Sequence, residues 1–406
     1  MSTVSSRRKP LLEWMDQGDP ELTPILMADA LSTTASYLGI STRTDGESTS
    51  FTNPRKSAIT PEMIVSCSRE IGAHFHWSLG SATPFDAIEF LDDVSLEARE
   101  ESDERGDIRR FTTIRTPAGT VSEVFLTPAD APGCWLEHLI KTEEDLPVLA
   151  FLVEKSAQAS IENDRVREKL TAKFRAEAAD WPDSTPFYAI IGIPAFCLTS
   201  NLFVDPTTAF YLMEDHNVVM ERLFEAYEQA NAVWVECAAT AGADFALGAI
   251  NGLELYSPSI YQKYFIPQAR RLREMANKAG MLHWVHTCGR MSQLVNAGVY
   301  GDMGVNVLES LSAPPIGDVE DIGASRARLG KAIVTRGGVN VDLFYETDIE
   351  VIRRRTREVL ESTRGYRHMI GDTNDSYPPY PRENILALVD EVYASGRALP
   401  AAHTDP

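Results

Sequence analysis

The 406-residue chain is 44% hydrophobic and 24% charged, which is enough apolar material for one large barrel or two ordinary domains and argues against disorder. A formal charge of −21 and a pI near 4.8 speak against nucleic acid or an anionic membrane as partner, since both would repel the chain at long range. Five scattered cysteines, Cys67, Cys134, Cys197, Cys237 and Cys288, do not look like a disulfide framework and suggest a reducing, cytoplasmic setting.

The opening MSTVSSRRKPLLEW has no apolar segment of the secretory type, and no apolar run reaches the roughly 18 residues that span a bilayer. Within it KPLLEWMDQGD reads as a helix, and TPILMA, at 23–28, as a first strand. Residues 60–91 read as mostly helical. Residues 94–127 instead alternate polar and apolar side chains around the turn signals RGD and PAG, which predicts an antiparallel β excursion. Residues 60–150 are therefore read as an elaboration on a single domain spanning 1–406.

From about residue 186 short apolar runs alternate with longer stretches of helical period, the pattern of a parallel sheet with helical crossovers. PFYAIIGIPAFCL is followed by a helical stretch over 207–241, and FALGAI closes on Asn251 and Gly252. Ser257-Pro258 starts a helix that Gly280 stops. MLHWVHTCG, VNVLESLS and AIVTRGGV follow as strands, separated by the helical MSQLVNAGVY and VEDIGASRARLG. DIEVIRRRTREVLESTRG carries Ile349, Ile352 and Val359 along one face, and its Arg353, Arg354 and Arg355 read as a solvated face. YRHMIGD and the helix PRENILALVDEVY end the fold. The expected architecture is a (β/α)8 barrel with an N-terminal helical extension; a doubly wound open sheet is the runner-up, without a G-x-G-x-x-G turn to support it.

In such a barrel the chemistry gathers at the C-terminal ends of the strands. Those ends offer Cys197, Asn251, His286, Cys288, Glu309, Gly337, Gly338, Asp372 and Asn374. His286 and Cys288 stand at i and i+2, so an extended strand puts both on one face. Imidazole and thiolate suit zinc, a catalytic zinc taking about three protein ligands. Two other readings stay open: simple packing, and a Cys-His nucleophilic couple that lacks a visible group to orient the imidazole. His74 and His76 in GAHFHW, and Tyr377 and Tyr380 in DSYPPYP, are candidates to line or stack on a substrate, whereas Glu254 has no evident role.

TPAGT at 116–120, IKTEEDLPVL at 140–149, YSPSIYQKYFIPQARRL at 256–272, HTCG at 286–289 and YPRENILALVDEV at 380–392 follow one another in an order that resembles the uroporphyrinogen decarboxylase superfamily. The likeness is strongest to its cobalamin-dependent methyltransferase branch. That resemblance implies a (β/α)8 barrel and zinc held by a His-x-Cys pair and a later cysteine. His286 and Cys288 match the pair, but no cysteine follows Cys288; in GDTND, Asp372 is the candidate replacement.

The implied activity is a methyltransferase or demethylase that moves a methyl group from a small O-, N- or S-methylated compound. Its acceptor would be a corrinoid on a separate partner protein, or a folate. Glu309 or Asp372 would serve as general acid, His74, His76, Asn251, Asn374 and Tyr377 as substrate contacts, and a homodimer is the suggested oligomer. The alternative is a metal-independent decarboxylase or lyase of a small aromatic or heteroaromatic acid. Uroporphyrinogen itself is disfavoured, because ELTPILMADA stands where the family's decarboxylases present an arginine-rich R-Q-A-G-R-Y segment.

Overall fold

The computed structural model describes residues 10–40, 59–128, 133–192, 203–373 and 380–401. Its strands in chain order are β1 (Trp77–Ser81), β2 (Ser95–Ser102), β3 (Ile108–Thr116), β4 (Gly119–Thr127), β5 (Cys134–Glu137), β6 (Phe187–Ile190), β7 (Phe245–Asn251), β8 (Leu282–Cys288), β9 (Val307–Ser310), β10 (Val334–Val339) and β11 (His368–Asp372). Seven of them pair side by side in the order β1-β6-β7-β8-β9-β10-β11, and every pairing is parallel. The segment 23–28 joins the two ends: Ile25 bridges Ile370 of β11, and Leu26 bridges His74 just before β1. Backbone bonds from Leu26 N to Ile370 O (2.9 Å) and from His74 N to Ile25 O (2.7 Å) carry this closure. The sheet therefore has no free edge there, which rules out the open doubly wound alternative and makes a (β/α)8 barrel.

Helix Pro10–Gln17 plugs the barrel floor. Its Leu11, Trp14 and Met15, at the i, i+3, i+4 spacing of one helical face, pack with Phe245, Leu247, Trp284, Val307, Val334 and Met369. Above this floor the strand register decides what faces the lumen. Trp284, Val307 and Val334 are direct partners across β8, β9 and β10, and so form one apolar row. Two residues further along each strand the side chains return to the same face, and the next row is His286, Glu309 and Arg336.

The sheet β2-β3-β4-β5 is antiparallel, as the alternation over 94–127 predicts, and β5 extends it. Its inner residues Ile114 and Val121 are buried in the main core. Within 60–91 the expectation holds for the helix Pro61–Ile71 and the 3-10 helix Pro84–Phe90, whereas β1 between them is a barrel strand, too short and too polar in WSLGS to show a period. The stretch 207–241 divides at His216 into Pro206–Asp215 and Asn217–Ala241. MSQLVNAGVY likewise divides at Gly298, whose φ of 75° belongs to the left-handed region. No described helix is long and apolar enough to cross a membrane.

Candidate active site

The turn after β8 fixes where Cys288 sits. Gly252 N donates to Cys288 O at 2.8 Å and Leu253 N to Arg290 O at 3.0 Å, tying the end of β8 to the loop after β7. Glu254 accepts from Arg290 N, and its carboxylate lies against Gly289, where a side chain would collide with it. Gly289 also has φ of 79°, so both backbone strain and space call for glycine. On the other side Asp318 Oδ1 accepts from Met291 N (2.8 Å) and Ser292 N (2.9 Å). Glu254, without a role in the sequence, is thus a clamp on the HTCGR turn.

From Cys288 a chain of polar contacts runs across the barrel mouth. His286 Nε2 is 2.6 Å from Cys288 Sγ, and its Nδ1 is 2.6 Å from Glu309 Oε1. Arg336 Nη1 donates to Glu309 Oε2 at 3.2 Å, and its Nη2 to Asp372 Oδ1 at 3.0 Å. Arg336 Nε donates to Leu26 O at 3.0 Å. Asp372 Oδ1 also accepts from Ala28 N at 2.5 Å, while Oδ2 takes the Tyr380 hydroxyl at 3.4 Å. Cys288 is exposed, His286 is partly so, and Glu309, Arg336 and Asp372 are buried. A buried guanidinium between two carboxylates satisfies the rule that interior charges are paired.

These contacts set the charges. Burial raises the Glu309 carboxyl, but Arg336 and then His286 and His76 outweigh it and bring it down to about 2. For Asp372 burial dominates, and its carboxyl is pushed up to about 6 despite Arg336, with the charge of Asp29 adding to the rise. Burial works against a charged His286, yet its bonds to Cys288 and Glu309 prevail and hold the ring well above its ordinary 6.5. At neutral pH an imidazolium therefore lies between the sulfur and an ionised Glu309.

The other candidates fall around this chain. Asn251 of β7 is the direct register partner of Cys288. His76 is buried between the rings of Tyr188 (4.9 Å) and Trp284 (5.2 Å), and burial lowers it to about 4, so it is neutral. His74 is buried and lines a small space with Met27, Thr33 and Cys67. Asn374, Tyr377 and Cys197 lie outside the described residues. Tyr380 does not serve as a stacking platform on the lumen: its ring packs with Phe344 and Tyr345 and its hydroxyl serves Asp372. Arg336 escaped the sequence reading, although an arginine inside AIVTRGGV, two residues beyond an inward valine, is the available signal.

The described residues do not by themselves assemble the zinc site that the resemblance implies. Nitrogen and sulfur ligands on one tetrahedral zinc stand about 3.6 Å apart, whereas Nε2 and Sγ are 2.6 Å apart and point at each other. Glu309 takes the opposite ring nitrogen, where a carboxylate orients an imidazole without being a ligand, so it does not complete the donor set. Asp372, expected as the third ligand, is committed to Arg336, Ala28 and Tyr380. Among the described residues no group of three His, Cys, Asp or Glu side chains could hold a metal ion.

A closed parallel barrel with a cysteine-bearing polar chain at the C-terminal strand ends is the architecture of a barrel enzyme. More specifically, the chain belongs to the uroporphyrinogen decarboxylase (URO-D) family, whose sequence model matches residues 143–395. Uroporphyrinogen decarboxylase of Syntrophotalea carbinolica (strain DSM 2380 / NBRC 103641 / GraBd1) is 25% identical over 175 residues, 42% of this chain and 48% of that protein. The chain thus spans about half the length of the curated relative it matches. Among solved structures, a methyltransferase from Methanosarcina mazei superimposes with a TM-score of 0.55 at 13% identity, covering 96% of this chain and 98% of the other. A B12-independent methionine synthase from Shewanella sp. W3-18-1 covers 93% of this chain and 98% of its own at 12% identity, with a TM-score of 0.46. The first likeness establishes the shared barrel fold.

Proposed function

We propose that this URO-D family enzyme transfers a methyl group from a small O-, N- or S-methylated compound to a corrinoid, carried on a separate partner protein, or to another acceptor. The observation that carries this reading is the Cys288–His286–Glu309 chain, which sets a soft sulfur at the exposed end of β8 with an imidazole held against it by a carboxylate. Methyl carbon is a soft electrophile, and thiolate sulfur is the side-chain atom best suited to meet it.

Decarboxylation of a polyanionic substrate would instead call for free cations in the mouth to hold its carboxylates. Arg336, a buried guanidinium there, is consumed by Glu309 and Asp372, and among the described residues beside the HTCGR turn the exposed Arg290 stands at the rim. In the proposed reaction Asp372, with its carboxyl at about 6, supplies a proton to the departing heteroatom. Asn251, beside Cys288, and His76 beneath it contact the donor.

The experiment assays two reactions in parallel on one preparation. Methyl transfer from a panel of methoxylated, N-methylated and S-methylated compounds to free cob(I)alamin is followed as methylcobalamin. Carbon dioxide release is followed from uroporphyrinogen and from aromatic acids. Methylcobalamin without carbon dioxide is the expected outcome, and carbon dioxide release without methyl transfer overturns the reading.

A further inference from the structure

We infer that Cys288 itself takes the methyl group, as a covalent thioether, with His286 and Glu309 as its positioning relay. The inference rests on the methyl-transfer reading and specifies the atom that receives the group. Its basis is the mismatch between the donor set and a zinc centre. The same three groups that fail to converge on a metal line up as nucleophile, imidazole partner and orienter: Sγ to Nε2 at 2.6 Å, then Nδ1 to Oε1 at 2.6 Å. Glu309 is in turn fixed from behind by Arg336 at 3.2 Å. Exposure decreases along the relay, since Cys288 is exposed while Glu309 is 7% exposed, so the sulfur is the member a substrate can reach. The clamps from Gly252 and Glu254 hold the turn that aims it. The other described thiols lack this setting, Cys67 and Cys237 being buried and Cys134 sitting on β5 of the antiparallel sheet.

The step balances without an oxidant or reductant. The proton of the Cys288–His286 pair rests on His286 Nε2 as sulfur attacks the methyl carbon; the C–S bond forms while the bond from carbon to the donor heteroatom breaks. The electron pair leaves with the heteroatom, which is protonated. The methyl group then passes from the thioether to a cobalt(I) corrinoid, a stronger nucleophile than a thiolate, and the thiolate returns.

The test is alkylation of the purified full chain, treated with EDTA, by iodomethane at pH 7, followed by intact mass and peptide mapping. Cys288 is expected to gain its methyl at least tenfold faster than the exposed Cys134 of the same molecule. Glu309→Gln, which keeps a hydrogen-bonding partner for Nδ1 but removes the charge, is expected to slow Cys288 about tenfold and leave Cys134 unchanged. Equal rates at the two cysteines overturn the inference. So does one equivalent of zinc in the protein as purified that both His286→Ala and Cys288→Ala lose. Turnover that survives in Cys288→Ser also removes the covalent step while leaving methyl transfer standing, whereas no methyl turnover in the wild type with any donor removes the methyl-transfer reading itself.

Discussion

Arg336 Nη2 stands 3.0 Å from Asp372 Oδ1 on the neighbouring strand, and the same guanidinium reaches Glu309 on its other side at 3.2 Å. One buried cation thus holds two carboxylates of opposite character: Glu309, kept ionised to about pH 2, and Asp372, which titrates at about 6. Arg336→Met keeps much of the volume but strands both carboxylates in the interior. Loss of one partner from such a buried group costs about 3–5 kcal/mol, and urea unfolding at pH 7 is expected to show it as a lower midpoint. Arg336→Lys, with a single ammonium in place of the fork, is expected to lie between the two.

The depressed Glu309 carboxyl has a definite consequence for acid stability. A carboxyl whose folded value lies below its unfolded one contributes stability above the unfolded value, and that contribution is lost as pH falls through the folded value. The window runs from about 4.5 down to about 2. Thermal melts of wild type and Glu309→Gln across this range are expected to converge as the pH falls, with the wild type losing the larger share.

Asp372 has the opposite sign. Its raised carboxyl contributes stability below the unfolded value, lost as pH rises through about 6. A step that needs its proton should therefore slow above about pH 6, with about a tenth of the molecules still protonated at pH 7. The pH profile of kcat/KM for methyl transfer is expected to fall on that alkaline limb, and Asp372→Asn to lose the limb along with most of the rate.

Gly289 tests the clamp on the HTCGR turn. Gly289→Ala meets both the left-handed φ of 79° and the Glu254 carboxylate, so a cost of about 1–3 kcal/mol is expected. Because the strain falls on the turn that aims Cys288, the iodomethane reaction at Cys288 should slow while that at Cys134 stays the same. A melt that drops with no change at Cys288 would make the clamp purely structural.

Much of the barrel could be read from periodicity. The strands from MLHWVHTCG onward are apolar runs flanked by glycine, and their helices carry apolar stripes wide enough to count. β1 is not visible in the sequence because WSLGS is short and mixed, and its place in the sheet is decided by partners at Phe187 and Tyr188 far along the chain. The site divides in the same way. His286 and Cys288 are two residues apart, so their shared face follows from strand geometry alone. Their link to Glu309 and Arg336 depends on the register of β8, β9 and β10, which no local pattern encodes. For that reason the group that orients His286 was invisible, and Asp372 was expected beside Cys288 rather than beyond Arg336.

The most direct measurement is methylcobalamin formation from cob(I)alamin and the panel of methylated donors, by wild type and by Cys288→Ser, with the protein mass recorded in the same reaction before cobalamin is added. The covalent step through Cys288 predicts methylcobalamin from at least one donor with wild type, a single added methyl on Cys288 beforehand, and neither with Cys288→Ser. Methylcobalamin formed equally well by Cys288→Ser would contradict it.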